Sequence, residues 1–380
     1  MTESGEGDAW KVTANLLSPP EADRYDQRDY VNLRVKYQPG SPAHEDYYAR
    51  RPELKEIDDL MREAGRKARV RHEPRARALG SAFFGMRGFL AGRADGEIAG
   101  GTPVDLGSPE EAAAHVKAVA RYLGADLVGI AKLDPRWVYS RQGRPPDKYG
   151  RRIELGHRYA VVMAVERDYV LIRTAPAVAC NITTGKGYAE EAYLSVLLAD
   201  YLRRLGYEAR GHPADDEQVI KIPVAVDAGL GELSRMGLLV TREFGARLAL
   251  ALATTDLELA CDDPVNLGVD EFCRICMKCV HSCPGRAVPE GEKTIIRGIE
   301  KWAVDPEACR MVWQKNGEVS CAVCVAVCPW NKPRNRFHYL NAVLAGKSGL
   351  FRRLLLAADD VFYGRRFKKG RPYSWLAPRE

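Results

Sequence analysis

The chain has 380 residues, 46% hydrophobic and 28% charged, which excludes both a wholly disordered chain and a collagen-like one. Its 57 Lys and Arg against 51 Asp and Glu leave a net charge of +6, weak evidence for nucleic acid at this size.

The opening MTESGEGDAWKV has no basic region followed by an apolar stretch, so no secretory leader is expected. No window approaches the roughly 18 uninterrupted apolar residues of a membrane span. The expectation is a cytoplasmic protein without membrane contact. About the first 50 residues are rich in Pro, Tyr and charge and read as an extended arm, the start of a wrapping region over residues 1–104. A first helix is expected from Glu53 to Arg66, with Pro52 at its start and Leu54, Ile57, Leu60 and Met61 as its apolar stripe. The glycine-rich stretch from Gly80 to Gly107 reads as loops.

An α/β pattern follows over residues 105–260. Ser108-Pro109-Glu110-Glu111 begins a helix through Tyr122, with Ser108 as N-cap, Pro109 at the first position and Glu111 completing a capping box. A glycine turn and a strand come next, then a second strand from Arg158 to Val165. Ala189 to Leu205 reads as a helix stopped by Gly206. KIPVAVDAGLGELSRMGLLVTREFG reads as strand or short helix, glycine loop, strand. DAGLGELSR lacks the G-K-[ST] of a phosphate loop and the full G-x-G-x-x-G of a dinucleotide fold. Gly229 and Gly231 are the candidate cofactor contacts there, with a tight structural turn as the alternative. A helical tail closes the chain over residues 336–380, with helix expected from Leu340 to Asp359 and packing on the core.

The cysteines decide the class. Of ten, eight fall between positions 273 and 328. Cys273, Cys276, Cys279 and Cys283 form C-x2-C-x2-C-x3-C-P, and Cys309, Cys321, Cys324 and Cys328 follow. A 4Fe–4S cube needs four corner thiolates; the tight run supplies three, and the Cys before Pro crosses to a neighbouring cube. Cys273, Cys276, Cys279 and Cys328 are thus assigned to one cluster, and Cys283, Cys309, Cys321 and Cys324 to the other. Structural zinc favours two C-x2-C pairs, and disulfide staples suit small secreted chains. Cys180 and Cys261 read as small apolar residues. Cubes pass single electrons, so the harder chemistry is expected from a second cofactor in the α/β part.

Taken together, GYAEEAYLSVLLADYLRRLGYEA, AVDAGLGELSRMGLLVTREFGARLALALATTDLEL, DDPVNLG, EFCRICMKCVHSCPGRAVP and CAVCVAVCPWNKP resemble the cobalamin-dependent reductive dehalogenases, and more distantly epoxyqueuosine reductase. The resemblance covers about residues 110 to 335. It implies an α/β (α+β) nitroreductase-like cobalamin-binding core, with a ferredoxin-like double-cluster domain over residues 261–335. It also implies a base-off corrinoid. No D-x-H-x-x-G occurs, and none of the seven histidines is assigned to cobalt.

The resemblance further implies a Tyr proton donor beside a cation. Tyr188 is the candidate donor, with Tyr193 as runner-up. Arg247 is the candidate cation, with Arg235 and Lys186 as rivals. In epoxyqueuosine reductase an Asp takes the acid's role, which points to Asp215 or Asp216. Because the chain lacks the flavin and ferredoxin extension of some members, a ferredoxin or flavodoxin is expected as external donor. The expected reaction is reductive dehalogenation of a small organohalide. The alternatives are a tRNA-directed epoxyqueuosine-type reductase, for which the basic GRRFKKGRP run offers a surface, a corrinoid reductase of a non-halogenated substrate, and a non-catalytic electron-transfer or corrinoid-carrying protein.

Overall fold

The computed structural model describes residues 24–69 and 73–376. Helices α1 (Val31–Arg34), α2 (Pro42–Arg50), α3 (Lys55–Lys67) and α4 (Pro74–Ala91) open the described chain. The expected extended arm is therefore helical from residue 31 onward, while its first 23 residues lie outside the described ones. Ser41 caps α2 by accepting from the His44 N–H, and Pro42 occupies the first turn. Tyr37, Tyr47 and Tyr48 then pack edge to face, which the Tyr-rich composition concealed.

A second expectation fails at Gly80–Gly107, which begins as the second half of α4. Each interior glycine costs a helix about 1 kcal/mol relative to Ala. The close approach is made by a glycine of the facing helix: a Cβ at Gly185 would stand 3.3 Å from Phe83 and 3.5 Å from the Gly80 carbonyl. Packing between helices outweighs local propensity.

The core comprises α5 (Pro109–Tyr122), β1 (Leu127–Lys132), β2 (Tyr159–Glu166), α6 (Tyr169–Ile172), α7 (Val178–Arg204), β3 (Ala209–Gly211), α8 (Lys221–Asp227), β4 (Glu232–Leu233), β5 (Leu239–Val240) and β6 (Leu248–Thr255). The capping box at Ser108 and Glu111 forms as expected. Four strands make one antiparallel sheet, ordered β1-β2-β6-β3, with Val162 opposite Leu252 at its centre. Alternate side chains leave opposite faces of a strand. Val161, Met163 and Val165 meet Leu194, Leu198 and Leu202 of α7 on one face. Ala160 and Val162 meet Val224, Ala225 and Val226 of α8 on the other. Each such fully buried aliphatic contributes roughly 1.5–3 kcal/mol, enough to fix the strand register.

Helix α7 starts 11 residues before the expected Ala189. Its first part, VACNITTGKGY, is rich in Thr and Gly and poor in helix signal. Close contact selects those residues: a Cβ at Gly187 would lie 3.0 Å from Ala249 of β6.

The cysteine segment carries α9 (Val269–Cys276), α10 (Lys278–Ser282), a hairpin of β7 (Thr294–Ile296) and β8 (Ile299–Lys301), α11 (Pro306–Lys315) and α12 (Val323–Val327). The N-terminal helices pack on α11 through Val31, Val35 and Met61 against Met311. The tail forms α13 (Arg336–Lys347) and α14 (Gly349–Tyr363). These pack chiefly on the cysteine segment, where buried Lys278 pairs with Asp359 and Asp360. The tail also meets the core, at Gly370, Tyr373 and Leu376.

Removing one cap tests the local part of this account. Ser108→Ala keeps α5's helix-forming residues but deletes the acceptor, and should cost about 1 kcal/mol. An unchanged denaturation midpoint would show that the capping box adds nothing.

Candidate redox centre and active site

The eight cysteines separate into the two expected sets. Cys273, Cys276, Cys279 and Cys328 line one small hollow with Phe272, Met277, Pro329 and Trp330. Cys328 interacts electrostatically with Cys273, Cys276 and Cys279, whereas Cys309 interacts with Cys321 and Cys283. Cys324 lies nearest both groups, sensing Cys279 as well as Cys309, Cys321 and Cys283.

The backbone explains how short helices present these thiols. Met277 and Ala322 both adopt φ 54°, left-handed values that L-residues rarely take. Each occupies the same place in a Cys-x-x-Cys pair: Cys276-Met277-Lys278-Cys279 and Cys321-Ala322-Val323-Cys324. The turn aims successive N–H groups inward, a nest suited to anionic sulfur. The Ala287 N–H also donates to the Cys283 sulfur at 3.2 Å. Burial raises the Cys273 and Cys276 thiols to about 12. A thiolate is stable at such a site when bound iron cancels its charge. The donor set, its division and its inward N–H groups fit two cubes.

Arg235 is not Tyr188's partner but a companion of this hollow. It is buried, and donates to the carbonyls of Cys273 (3.3 Å), Pro289 (2.9 Å), Glu290 (3.2 Å) and Gly291 (2.9 Å). Its guanidinium stacks 4.5 Å from the Trp302 ring centroid. All four acceptors are neutral, so its positive charge stays uncompensated beside the Cys273 cluster.

Tyr188 lies within α7 rather than just before it. The Arg87 and Arg167 guanidiniums stand 5.3 and 5.5 Å from its ring centroid. Arg87 is itself held by Asp215 through two bonds of 2.7 Å. Arg247 makes its contacts elsewhere. Fully buried, it binds Glu166, the Arg167 carbonyl at 3.0 Å and the Lys332 carbonyl at 2.9 Å. It thus stands one step behind Arg167. Lys186 pairs with Glu190 on the exposed side of α7, and Tyr193 is 44% exposed. Asp216 is buried among Arg210, Lys148 and Gln142.

Polar groups surround Tyr188. Burial, with Tyr188 nearby, raises the Tyr30 pKa to about 12. Tyr139, Arg144 and Glu217 interact with Tyr30, the last two as an ion pair of 2.5 Å. Lys221, paired with Glu191 at 2.7 Å, also senses Tyr188. These groups are coupled electrostatically to the second thiol set: Arg310 interacts with both Tyr30 and Cys309, and buried Cys180 with both Arg167 and Cys321. Arg87 and Tyr30 were hidden from sequence reasoning because their segments read as loop and arm. Arg144, Arg167, Glu217 and Lys221 carry no local signal.

The candidate glycines have close neighbours of their own. A Cβ at Gly229 (φ +70°) would stand 2.4 Å from the Asp263 carbonyl oxygen, and one at Gly231 2.2 Å from that of Val240. Packing within the chain already demands both.

Comparison with known proteins adds the family. Residues 272–332 match the 4Fe-4S dicluster domain. A tetrachloroethene reductive dehalogenase of Desulfitobacterium hafniense is 40% identical across 59% of this chain and 49% of its own. A solved catabolic reductive dehalogenase in complex with 3-bromo-4-hydroxybenzoic acid superimposes with a TM-score of 0.75 at 27% identity, over 90% of this chain and 46% of that one. A second, described as suggesting a mechanism for B12-dependent dehalogenation, gives 0.68 at 31% identity, over 74% and 42%. The chain is a reductive-dehalogenase-like protein, more distantly related to epoxyqueuosine reductase. Its mixed α/β fold with a separate dicluster domain is that of the solved reductive dehalogenases. The chain spans about half the length of the first curated relative, at 49%. Among the described residues no helix is long and apolar enough to cross a membrane.

Two predictions follow from the thiol geometry. Cys276→Ala should strip the cluster of Cys273, Cys279 and Cys328, and Cys309→Ala the other, each lowering iron content and leaving one electron paramagnetic resonance signal. Two intact signals in Cys309→Ala would refute its assignment. Arg235→Gln should make the first cluster's midpoint potential more negative. A charge ~8–16 Å away at an effective dielectric of about 20 contributes on the order of 1–2 kcal/mol per electron. An unshifted potential would mean that solvent already screens Arg235.

Proposed function

We propose that this protein is a cobalamin-dependent reductive dehalogenase of a small organohalide, supplied through two 4Fe–4S clusters by an external ferredoxin or flavodoxin. The observation that carries this reading is Tyr188 flanked by the Arg87 and Arg167 guanidiniums in a chain that also carries two four-thiol sets. The arginines around it also fit a corrinoid. Among the described residues, buried nitrogens of Arg144, Arg167 and Arg310 have no hydrogen-bond partner. Such donors cost free energy unless something accepts from them, and a corrinoid's rim amides and phosphate are acceptors. Arg144, Arg167 and Arg310 would hold it. Bound base-off, it would supply the two electrons that cleave the carbon–halogen bond.

The chain's own part is the proton and the charge. Net reaction consumes two electrons and one proton and releases halide. Tyr188 donates the proton to the substrate carbon. Arg167 and Arg87 favour the phenolate left behind, as nearby cations do. Asp215 fixes Arg87. Arg247 holds Arg167 in place from the sheet side, a positioning role. Asp215 is engaged by Arg87, and Asp216 by Arg210 and Lys148, which disfavours the tRNA-directed alternative. A cytoplasmic setting goes with this reading, because a reducing compartment keeps the eight cluster thiols available for iron.

The test is anaerobic reconstitution with iron, sulfide and cobalamin, then turnover of aryl and alkenyl halides with a reduced donor. Halide release with matching dehalogenated product is expected. Tyr188→Phe should retain iron and cobalt but lose about 10²-fold or more in kcat, the usual worth of a positioned acid. Arg167→Gln should lose activity in the same direction. Full turnover by Tyr188→Phe would place the proton donor elsewhere.

A further inference from the structure

Between the dicluster domain and the tail helices α13 and α14 lies a groove of about 1160 Å³. Phe272, Pro329 and Trp330 line both this groove and the hollow of the Cys273 cluster, with Phe272 and Trp330 in edge contact at 5.8 Å. One layer of side chains therefore divides the first cluster from the groove. The groove's other apolar residues are unusually bare: Phe337 is 67% exposed, Leu340 59% and Phe362 81%. Contiguous exposed apolar surface of this kind marks an interaction site.

The charge on it leans one way. Arg242, Lys332, Arg334 and Arg336 line it against Glu243 and Asp359, and the segment 332–371 that supplies the tail helices holds eleven Lys or Arg against two Asp, a net +9 that exceeds the +6 of the whole chain. Both Asp are already engaged with cations: Asp359 with Lys278 and Lys332, and Asp360 with Lys278 and Arg365. Among the described residues no carboxylate lies within ion-pair reach of exposed Arg336, Arg353, Arg366, Lys368 or Lys369.

We propose that this groove is where a small acidic one-electron carrier protein docks to reduce the Cys273 cluster. An apolar floor inside a charged rim is the general form of a protein interface, and the unpaired cations complement an acidic partner. A concave cleft suits the convex edge of a small protein better than a flat lipid surface. The location serves the purpose, because an electron entering here meets the first cluster through Phe272 and Trp330. The inference rests on the redox reading above only in that the first cluster must be reduced from outside.

The test uses the reconstituted full chain and an acidic 4Fe–4S ferredoxin, with cluster reduction followed by stopped-flow absorbance and no substrate present. Arg336→Glu combined with Arg353→Glu should slow reduction at least tenfold at low salt, and the gap should close as salt rises. Phe362→Ser should weaken the encounter without that salt dependence. Direct reduction by photoreduced deazaflavin, a small neutral donor, should be unchanged in both, showing that the cluster is intact. Equal ferredoxin rates in wild type and variants would overturn the proposal. So would variants that abolish binding to phosphatidylglycerol vesicles, or self-association, while leaving ferredoxin kinetics untouched. Failure of halide release leaves this measurement unaffected, so the two readings fall separately.

Discussion

Eight thiols gathered inside an apolar cluster with Phe272, Val280, Val323, Val325 and Trp330 call for something that takes up their charge and fills the space between them. Left-handed Met277 and Ala322 turn two short loops so that sulfur and N–H groups point inward together. The crossing of Cys328 to the first set and of Cys283 to the second ties the two halves of the segment together. Everything electrically useful in the molecule is arranged around this pair of sites. Arg235 lies beside the first, and Cys180 and Arg310 couple the second to Arg167 and Tyr30.

Buried cations join the parts. Arg247 reaches from the sheet to the Lys332 carbonyl beyond the last cysteine, Lys278 fastens a cluster loop to Asp359 and Asp360, and Arg34 bridges Asp58 and Glu307. Burial works against the charge on Lys278, yet its hydrogen bonds to both aspartates outweigh that and raise its pKa. Buried pairs of this kind add little net stability, because desolvation offsets most of the attraction. Their value lies in geometry: each charge has one place where it is satisfied, which fixes how core, dicluster domain and tail meet. A redox chain depends on such fixed separations.

Legibility in the sequence followed the range of the forces. The thiol sets were readable because cluster ligation is local and its spacing strict. The helix at Ser108 was readable because a capping box spans four residues. Helix α4 and the first part of α7 were not, since their glycines oppose helix locally and only packing between the two, closest at Gly185, outweighs that. Tyr188 was nominated as the donor through family likeness alone. Its cations were not: Arg87 comes from α4 and Arg167 from the end of β2, brought together by tertiary packing alone. Arg247, chosen by its distance along the chain, proved to stand behind Arg167, because spacing cannot say which way a side chain turns.

The central claim is that the two thiol sets and the Tyr188 site form one electron path ending at a corrinoid. The most direct measurement is a metal count with electron paramagnetic resonance on chain reconstituted anaerobically with iron, sulfide and cob(II)alamin. The account predicts iron for two cubes and one cobalt per chain, with the cobalt signal lost when Arg144 and Arg310 are replaced by Gln while both cluster signals persist. Full iron with no bound cobalt in the wild-type chain would contradict it.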